Sequence, residues 1–128
     1  MIDFEIKGNE EGRLVALENN ISIPFSIKRV YYITNTKYGV IRGNHAHKNL
    51  KQVLICVNGS CKIGLDNGNE KAEVLLDQMN KGLYIESNIW RTMYDFSDEA
   101  VLLVIASELY DESDYIRNYD DFIQYISQ

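Results

Sequence analysis

Hydrophobic and polar residues alternate with a period of two along most of this chain. Alternation of this kind is typical of β-strands, in which successive side chains point to opposite faces of a sheet. The clearest example is IKRVYYIT at 27–34, where β-branched and aromatic residues predominate. The pattern predicts strands at 4–7, 14–18, 27–34, 52–57, 60–65, 71–76, 82–86, 89–96 and 101–107.

Turn residues separate these strands. Asn58 and Gly59 both tolerate positive φ, so they predict a hairpin between the strands that flank them. The sequence Asp-Asn-Gly at 66–68 predicts the next turn. Many short strands with frequent turns indicate an all-β sandwich or barrel.

The period changes only near the end of the chain. Apolar residues there have helical spacing, which predicts one or two short amphipathic helical segments. The residues concerned are Tyr115, Ile116, Tyr119, Phe122, Ile123 and Ile126. The carboxylates of the same stretch, YDESDYIRNYDDF at 110–122, are expected to be solvated rather than catalytic.

Size and charge narrow the class of protein. The 128 residues suit one domain, and the net charge of −6 disfavours a general binder of nucleic acid or anionic membrane. No apolar run is long enough to span a membrane, and the N-terminus lacks a signal-peptide pattern. We interpret Cys56 and Cys61 as reduced core thiols, which favours a cytoplasmic protein.

The two histidines of the chain lie together in RGNHAHK at 42–48. Positions i and i+2 of a strand share a face, so His45 and His47 should lie side by side. Arg42 and Lys48 flank them in sequence. An isolated histidine is often structural, but this concentration of imidazoles beside cations favours a functional site.

The spacing around the histidines resembles the first motif of the cupin superfamily. Gly39, His45, His47, Gln52 and Gly59 match it, except that metal-binding cupins carry Glu where this chain has Gln52. The expected second motif, at 82–94, contains no histidine. Two histidines without a third ligand make a poor metal site. We therefore expect no metal, and imidazoles that are free to transfer protons.

A wider resemblance covers nearly the whole chain. The sequence is similar to the dTDP-4-keto-6-deoxy-glucose 3,4-ketoisomerases, a cupin group of bacterial dTDP-sugar biosynthesis. The matching segments are IPFSIKRVYYI (23–33), RGNHAHK (42–48), QVLICVNGS (52–60), GLYI (82–85) and ASELYDESDYIRNYDDF (106–122). The resemblance implies a single cupin domain over 1–128, a double-stranded β-helix (jelly-roll) barrel with short C-terminal helical segments.

The resemblance also implies a reaction and its residues. The family moves the keto group of a dTDP-linked 6-deoxy sugar from carbon 4 to carbon 3 without a metal or redox cofactor. His47 matches the principal acid/base, and His45 matches its partner for the oxygen-bound protons. Such enzymes serve the synthesis of dTDP-3-amino-3,6-dideoxy sugars for lipopolysaccharide O-antigens.

Further residues are expected to bind the substrate. Arg42, then Arg29 and Lys48, are candidates for the diphosphate, because a diphosphate needs cationic partners. Tyr31 is a further candidate for binding the substrate. Three tyrosines are possible helpers in catalysis, namely Tyr31, Tyr32 and Tyr38.

One departure from the family pattern bears on the product. The family often has Trp-His-x-Met-His where this chain has WRTMY at 90–94. We hypothesise that Arg91, in place of His, favours the gluco over the galacto product.

The resemblance also implies a homodimer that exchanges N-terminal strands. Phe4, Ile6 and Leu14 would serve that role, since a lone N-terminal strand needs a sheet edge. Three other functions remain open at this point. They are a cupin sugar-nucleotide epimerase, a non-catalytic nucleotide-sugar binder and, less favoured, a metal-dependent oxygenase.

Overall fold

The computed structural model describes residues 1–128, and strands dominate it. The strands are β1 (Ile2–Asp3), β2 (Lys7–Asn9), β3 (Gly12–Leu14), β4 (Arg29–Thr34), β5 (Arg42–His47), β6 (Gln52–Asn58), β7 (Cys61–Asp66), β8 (Lys71–Leu76), β9 (Lys81–Ile85), β10 (Trp90–Tyr94), β11 (Val101–Ala106) and β12 (Tyr115–Ile116). A 3₁₀ turn covers Glu112–Asp114, and one α-helix, α1, covers Tyr119–Ile126. No helix is long and apolar enough to cross a membrane.

Two five-stranded antiparallel sheets form the body of the protein. The first has the order β1-β9-β6-β11-β4 and the second the order β12-β5-β10-β7-β8. From β4 onward consecutive strands alternate between the two sheets, except that β7 and β8 form a hairpin within the second sheet. This is the connectivity of a jelly roll. The largest buried apolar cluster draws residues from both sheets, among them Leu54 of β6 and Ile63 of β7. The predicted all-β cupin barrel is confirmed.

The turn at Asn58 and Gly59 joins the sheets instead of closing a hairpin. Strand β6 pairs with β9 and β11, whereas β7 pairs with β8 and β10, so the predicted pairing of the two strands is wrong. Gly59 does adopt a positive φ of 69°. The turn chemistry was therefore predicted correctly, but β9 and β11 take both edges of β6, while β8 and β10 take both edges of β7.

The C-terminal segment contains one α-helix where two helical segments were possible. The helix begins after Asn118, whose side chain caps it by accepting from the Asp121 amide. Phe122 is buried beneath the helix, beside Ala46 of β5. Tyr115 and Ile116 do not lie in a helix, because they pair with β5 as strand β12.

The N-terminal strands differ from the predicted ones. Strand β1 pairs with β9 of the same chain, and the Phe4 amide donates to the Asn80 carbonyl at 2.8 Å. Phe4 is buried on the outer face of the first sheet. Strands β2 and β3 form a separate two-stranded ribbon whose residues are all exposed.

Candidate active site

A bulge in β5 positions the two histidines. Arg91 of β10 pairs with His45 and Thr92 pairs with Gly43, so Asn44 is the extra residue between them. Gly43 and Asn44 both have positive φ, of 86° and 58°. A Cβ on Gly43 would lie 3.0 Å from the Arg91 carbonyl oxygen, so any other residue would be strained both by this contact and by the positive φ.

The two imidazoles lie side by side, as their spacing predicts. Their ring centroids are 4.9 Å apart, and the rings meet edge to face. We expected both rings to be open to a sugar, but His47 has no exposed surface and His45 is only 8% exposed. A molecule entering from outside would therefore meet His45 first.

Asp114 holds the inner histidine. Its Oδ2 lies 3.1 Å from Nδ1 of His47, and its carboxylate also accepts from the backbone amides of Asn49 and Leu50. Because the carboxylate accepts a hydrogen bond from Nδ1–H, the lone pair of the neutral His47 imidazole is placed on Nε2. Asp114 is buried, so the prediction that the carboxylates of this stretch are all solvated is wrong at this position.

The periodicity of the sequence did not identify Asp114 or its neighbour Tyr115 as residues of the site. Tyr115 pairs with His47 across β12 and β5, and its ring lies 4.3 Å from that of His47 and 5.0 Å from that of His45. The available signal was the family resemblance, because both residues lie in the matching segment ASELYDESDYIRNYDDF at 106–122. The positive charge of Arg117 stacks on the Tyr115 ring at 4.2 Å.

A hydrogen-bonded chain runs from Arg91 to Tyr31 through Gln52. An Nη of Arg91 donates to Oε1 of Gln52 at 2.6 Å, and Nε2 of Gln52 donates to the Tyr31 hydroxyl at 3.1 Å. A second Arg91 nitrogen donates to the Ile89 carbonyl. Arg91 and Gln52 have no exposed surface. Gln52 is therefore engaged as a hydrogen-bonding link at the position where metal-binding cupins carry Glu.

Both histidines are weak bases in this environment. Burial, followed by the charge of Arg91, lowers the pKa of His45 to about 3. The same two causes lower the pKa of His47 to about 4, although Asp114 opposes them. Burial also lowers the pKa of Arg91 to about 10, which leaves its guanidinium charged at neutral pH. Both imidazoles are therefore neutral and able to accept protons there.

Several buried nitrogen atoms around the histidines have no hydrogen-bond partner. They are Nδ1 of His45, Nε2 of His47, Nε of Arg91, and Nε and one Nη of Arg29. Buried polar groups are normally satisfied, so these atoms mark a place built for a polar ligand. Neither guanidinium forms an ion pair, which favours a ligand with negative charge or electron-rich oxygens.

Of the remaining predicted site residues, one lies beside the histidines and the others are exposed away from them. Arg29 lies with the histidines, stacked over the rings of Tyr31 and Tyr110. Arg42 is exposed at the opposite end of β5 from His47, and Lys48 is exposed and packs over the Tyr125 ring at 5.7 Å. Tyr32 and Tyr38 are 70% and 100% exposed, so neither joins the histidine cluster.

The chain contains no group of three or more His, Cys, Asp or Glu side chains that could hold a metal ion. At the cupin position, two imidazoles, an amide and a guanidinium lie together. This set offers proton acceptors and hydrogen-bond donors, and it suits proton transfer at an electron-rich oxygen.

Comparison with known proteins assigns the family. The family described as FdtA, WxcM-like, C-terminal, matches residues 1–127. The TDP-4-oxo-6-deoxy-alpha-D-glucose-3,4-oxoisomerase of Aneurinibacillus thermoaerophilus is 52% identical over 128 residues, which is 100% of this chain and 92% of the relative. The chain belongs to the sugar 3,4-ketoisomerase family. The resemblance drawn from its sequence is thereby confirmed.

Solved structures of 3,4-ketoisomerases have the same fold. One is a histidine-to-asparagine mutant of the Thermoanaerobacterium thermosaccharolyticum enzyme QdtA in complex with TDP-4-keto-6-deoxyglucose. It is 49% identical, with a TM-score of 0.96 over 98% of this chain and 91% of its own. Another is the TDP-quinovose 3,4-ketoisomerase WlaRB of Campylobacter jejuni. It is 50% identical, with a TM-score of 0.92 over 96% of this chain and 95% of its own.

Proposed function

We propose that this ketoisomerase converts dTDP-4-keto-6-deoxy-glucose to a dTDP-3-keto-6-deoxy-hexose through the paired imidazoles of His45 and His47. The observation that carries the proposal is the adjacency of two neutral imidazoles with unpartnered nitrogens. Asp114 fixes one of them, and two unpaired guanidinium groups lie beside them. The TDP-4-keto-6-deoxyglucose in complex with the QdtA mutant supports the same sugar as substrate.

The reaction requires only proton transfers. The hydrogen on carbon 3 is acidic because it lies next to the ketone at carbon 4. Nε2 of His47 takes that proton, and an enediolate forms with negative charge on the carbon-4 oxygen. The proton on the His47 imidazolium exchanges with solvent, and His47 then delivers a proton to carbon 4. Meanwhile His45 moves the hydroxyl proton from the carbon-3 oxygen to the carbon-4 oxygen, which leaves the ketone at carbon 3.

Arg29 is our first candidate for binding the diphosphate. Two of its nitrogens are buried without partners and it lies near His47, close enough for its charge to lower that pKa. Arg42 and Lys48 are exposed, so we assign them to the outer part of the nucleotide. Tyr31 is assigned to the sugar end, because its hydroxyl is hydrogen-bonded to Gln52 at the site.

We propose the gluco configuration at carbon 4 of the product. Arg91 lies directly across from His45, where its side chain can govern how the sugar sits against the imidazoles. The 50% identity with a TDP-quinovose ketoisomerase supports the same outcome, since quinovose is a 6-deoxy-glucose. The coupling constant at carbon 4 of the isolated product measures the configuration, and a galacto product would refute this part of the proposal.

Proton NMR in heavy water tests the reaction itself. Incubation with dTDP-4-keto-6-deoxy-glucose should move the carbonyl to carbon 3 and introduce deuterium at carbons 3 and 4 of the interconverting sugars. An epimerase would instead invert carbon 3 or carbon 5 and leave the ketone at carbon 4. Binding without any exchange would mean that the protein is a nucleotide-sugar binder. Either of these two results contradicts the proposed function.

We propose that residues 1–128 act as one cupin domain within a homodimer. The β2–β3 ribbon pairs only with itself and exposes Leu14, while the edge strand β4 exposes Val30 and Tyr32. An exposed edge of this kind favours pairing with another chain. We therefore assign the exchanged role to the ribbon rather than to β1. Sedimentation should give a dimer that Tyr32→Glu weakens, and a wild-type monomer would refute it.

The 3-keto product is suited to one class of subsequent reaction. A ketone at carbon 3 is the group that an aminotransferase converts to an amine, so we place the enzyme before such a step in the synthesis of a 3-amino-3,6-dideoxy sugar.

We also propose that the protein works in the cytoplasm. Cys56 and Cys61 are both free thiols, which supports a reducing environment.

A further inference from the structure

The side chain of Gln52 lies between the charged guanidinium of Arg91 and the phenol of Tyr31. Gln52 is the first residue of β6, and its amide reaches across to Arg91 of the opposite sheet on one side and to Tyr31 on the other. All three side chains are buried or half-buried, and Gln52 and Arg91 have no exposed surface at all. A fully buried amide with both ends used holds its neighbours in one geometry.

No carboxylate forms an ion pair with Arg91, although the charge of Asp114 lies near enough to act on it. The hydrogen bonds of Arg91 go to the neutral oxygens of Gln52 and Ile89. Burying a cation without a counter-ion is costly, so such a charge calls for an explanation. The one buried carboxylate of the cluster, Asp114, is already engaged by His47 and two backbone amides.

We propose that Gln52 is a positioning residue that holds the Arg91 guanidinium beside His45 and His47 without neutralising it, so that its positive charge stabilises the enediolate oxygen. The inference rests on the proposed function, because an enediolate forms only if the sugar is isomerised. It extends that function by giving a role to the amide that stands where other cupins carry a carboxylate. Glu at this position would pair with Arg91 and cancel the charge.

The chemistry of the step requires such a charge. The imidazoles are weak bases here, because burial and Arg91 lower their pKa values. A weak base can remove a carbon-bound proton only if the resulting anion is strongly stabilised. A preorganised cation in a site shielded from water supplies that stabilisation. Arg91 therefore lowers the basicity of the imidazoles and compensates by favouring the anion that they generate.

The substitution Gln52→Glu tests the charge without changing the shape. The carboxylate can accept from Arg91 as the amide does, and the Tyr31 hydroxyl can rotate to donate to it. We expect kcat to fall by about 100-fold, the cost of losing one stabilising group for an oxyanion. KM should change little, because the effect concerns the transition state.

The pH profile provides a readout that a packing role would not move. A carboxylate beside Arg91 offsets the cation that lowers the pKa of both histidines, so the acid limb of kcat/KM should shift to higher pH. The other titratable or charged groups around the histidines are unchanged in this variant. They are Asp114 and Tyr115 from the C-terminal segment, Arg29 and Tyr31 from β4, and Glu112 and Arg117 nearby.

Two comparison variants sharpen the result. Gln124→Glu makes the same change on the exposed face of α1 and should leave kcat and the acid limb unchanged. Gln52→Met removes both hydrogen bonds but leaves Arg91 charged, so it should slow the enzyme less than Gln52→Glu. If Gln52 only packs and donates hydrogen bonds, Met will be the slower variant. That order, or an unmoved acid limb, overturns the proposal.

A second pair of variants decides the matter if Gln52→Glu does not fold. Arg91→Lys keeps a positive charge and Arg91→Met removes it. Arg91→Lys should therefore have the higher kcat of the two, at similar KM. Equal rates for the two would overturn the inference. Failure of the proposed function looks different, since the wild-type enzyme itself would then produce no 3-keto sugar.

Discussion

The Nδ1 atom of His47 lies 3.1 Å from Oδ2 of Asp114, although the two residues are 67 positions apart in sequence. This contact gives the imidazole one tautomer and one orientation, with Nε2 left to accept a proton. The same carboxylate accepts hydrogen bonds from two backbone amides of the loop after β5, so its own position is fixed.

Replacing Asp114 by Asn should slow isomerisation by roughly 100-fold, because the amide no longer holds the reactive tautomer. KM should stay near its wild-type value, since Asp114 lies behind the imidazole. Steady-state kinetics with the 4-keto sugar measure both constants. Asp120→Asn makes the same change on the exposed first turn of α1 and serves as the control. A variant of Asp114 with unchanged kcat would show that the contact is only structural.

The two histidines should respond differently to Asn. His47→Asn should reduce deuterium uptake at carbon 3 by at least about 100-fold, because the proton acceptor for that carbon is lost. His45→Asn should retain slow uptake at carbon 3 while failing to complete the ketone transfer. Proton NMR in heavy water follows both steps, and calorimetric titration with dTDP should show binding in both variants. Wild-type uptake by the His47 variant would move the carbon base elsewhere.

Folding stability should fall in mild acid. The pKa values of His45 and His47 in the folded chain, about 3 and about 4, lie below the ordinary value of 6.5. The unfolded chain therefore binds more protons below pH 6.5, and stability is lost as pH falls toward these folded values. Each histidine contributes up to about 1.4 kcal/mol per pH unit in that window. Urea unfolding between pH 7 and 4.5 measures the slope, which should be smaller in His45→Asn.

Glycine at position 43 should be indispensable to the fold of the site. Gly43→Ala forces a φ of 86° on a residue with a side chain and brings its Cβ to 3.0 Å from the Arg91 carbonyl. We expect a loss of about 1–3 kcal/mol in the free energy of unfolding. Gly12→Ala is the matched control, because a Cβ there meets nothing within 4 Å. Equal stability of the two variants would contradict this reading of the bulge.

The sequence was sufficient to predict the features that depend on local pattern. The period of two predicted an all-β sandwich or barrel, and the i, i+2 spacing predicted that His45 and His47 share a face. The choice of a cupin barrel came from the resemblance of the motifs. It could not predict Asp114, because a carboxylate in an acidic segment looks solvated until β12 pairs with β5 and buries it. The strand pairing across Asn58 and Gly59 failed for a similar reason, since the edges of β6 are taken by strands far along the chain.

The hydrogen-bonded link from Arg91 through Gln52 to Tyr31 also could not be predicted from the sequence. The resemblance to cupins marked Gln52 only as a missing metal ligand. Its partners come from β10 and β4, on different sheets, and neither spacing nor composition brings these strands together. Such contacts depend on how the sheets face each other, which is a property of the whole fold.

The extra residue in β5 has a consequence for how this protein could change over evolutionary time. The pairs on either side of Asn44 are Arg91 with His45 and Thr92 with Gly43, and they are consecutive on β10. Losing Asn44 would therefore keep the register of β5 and keep both imidazoles on the inner face of the barrel. The deletion would instead remove the local bend and added twist of the bulge, and so change the direction in which the two rings point. A single codon deleted at this point would thus re-aim the reactive side chains while retaining all of them, whereas a similar deletion in the exposed β2–β3 ribbon would leave the reaction chamber unaltered.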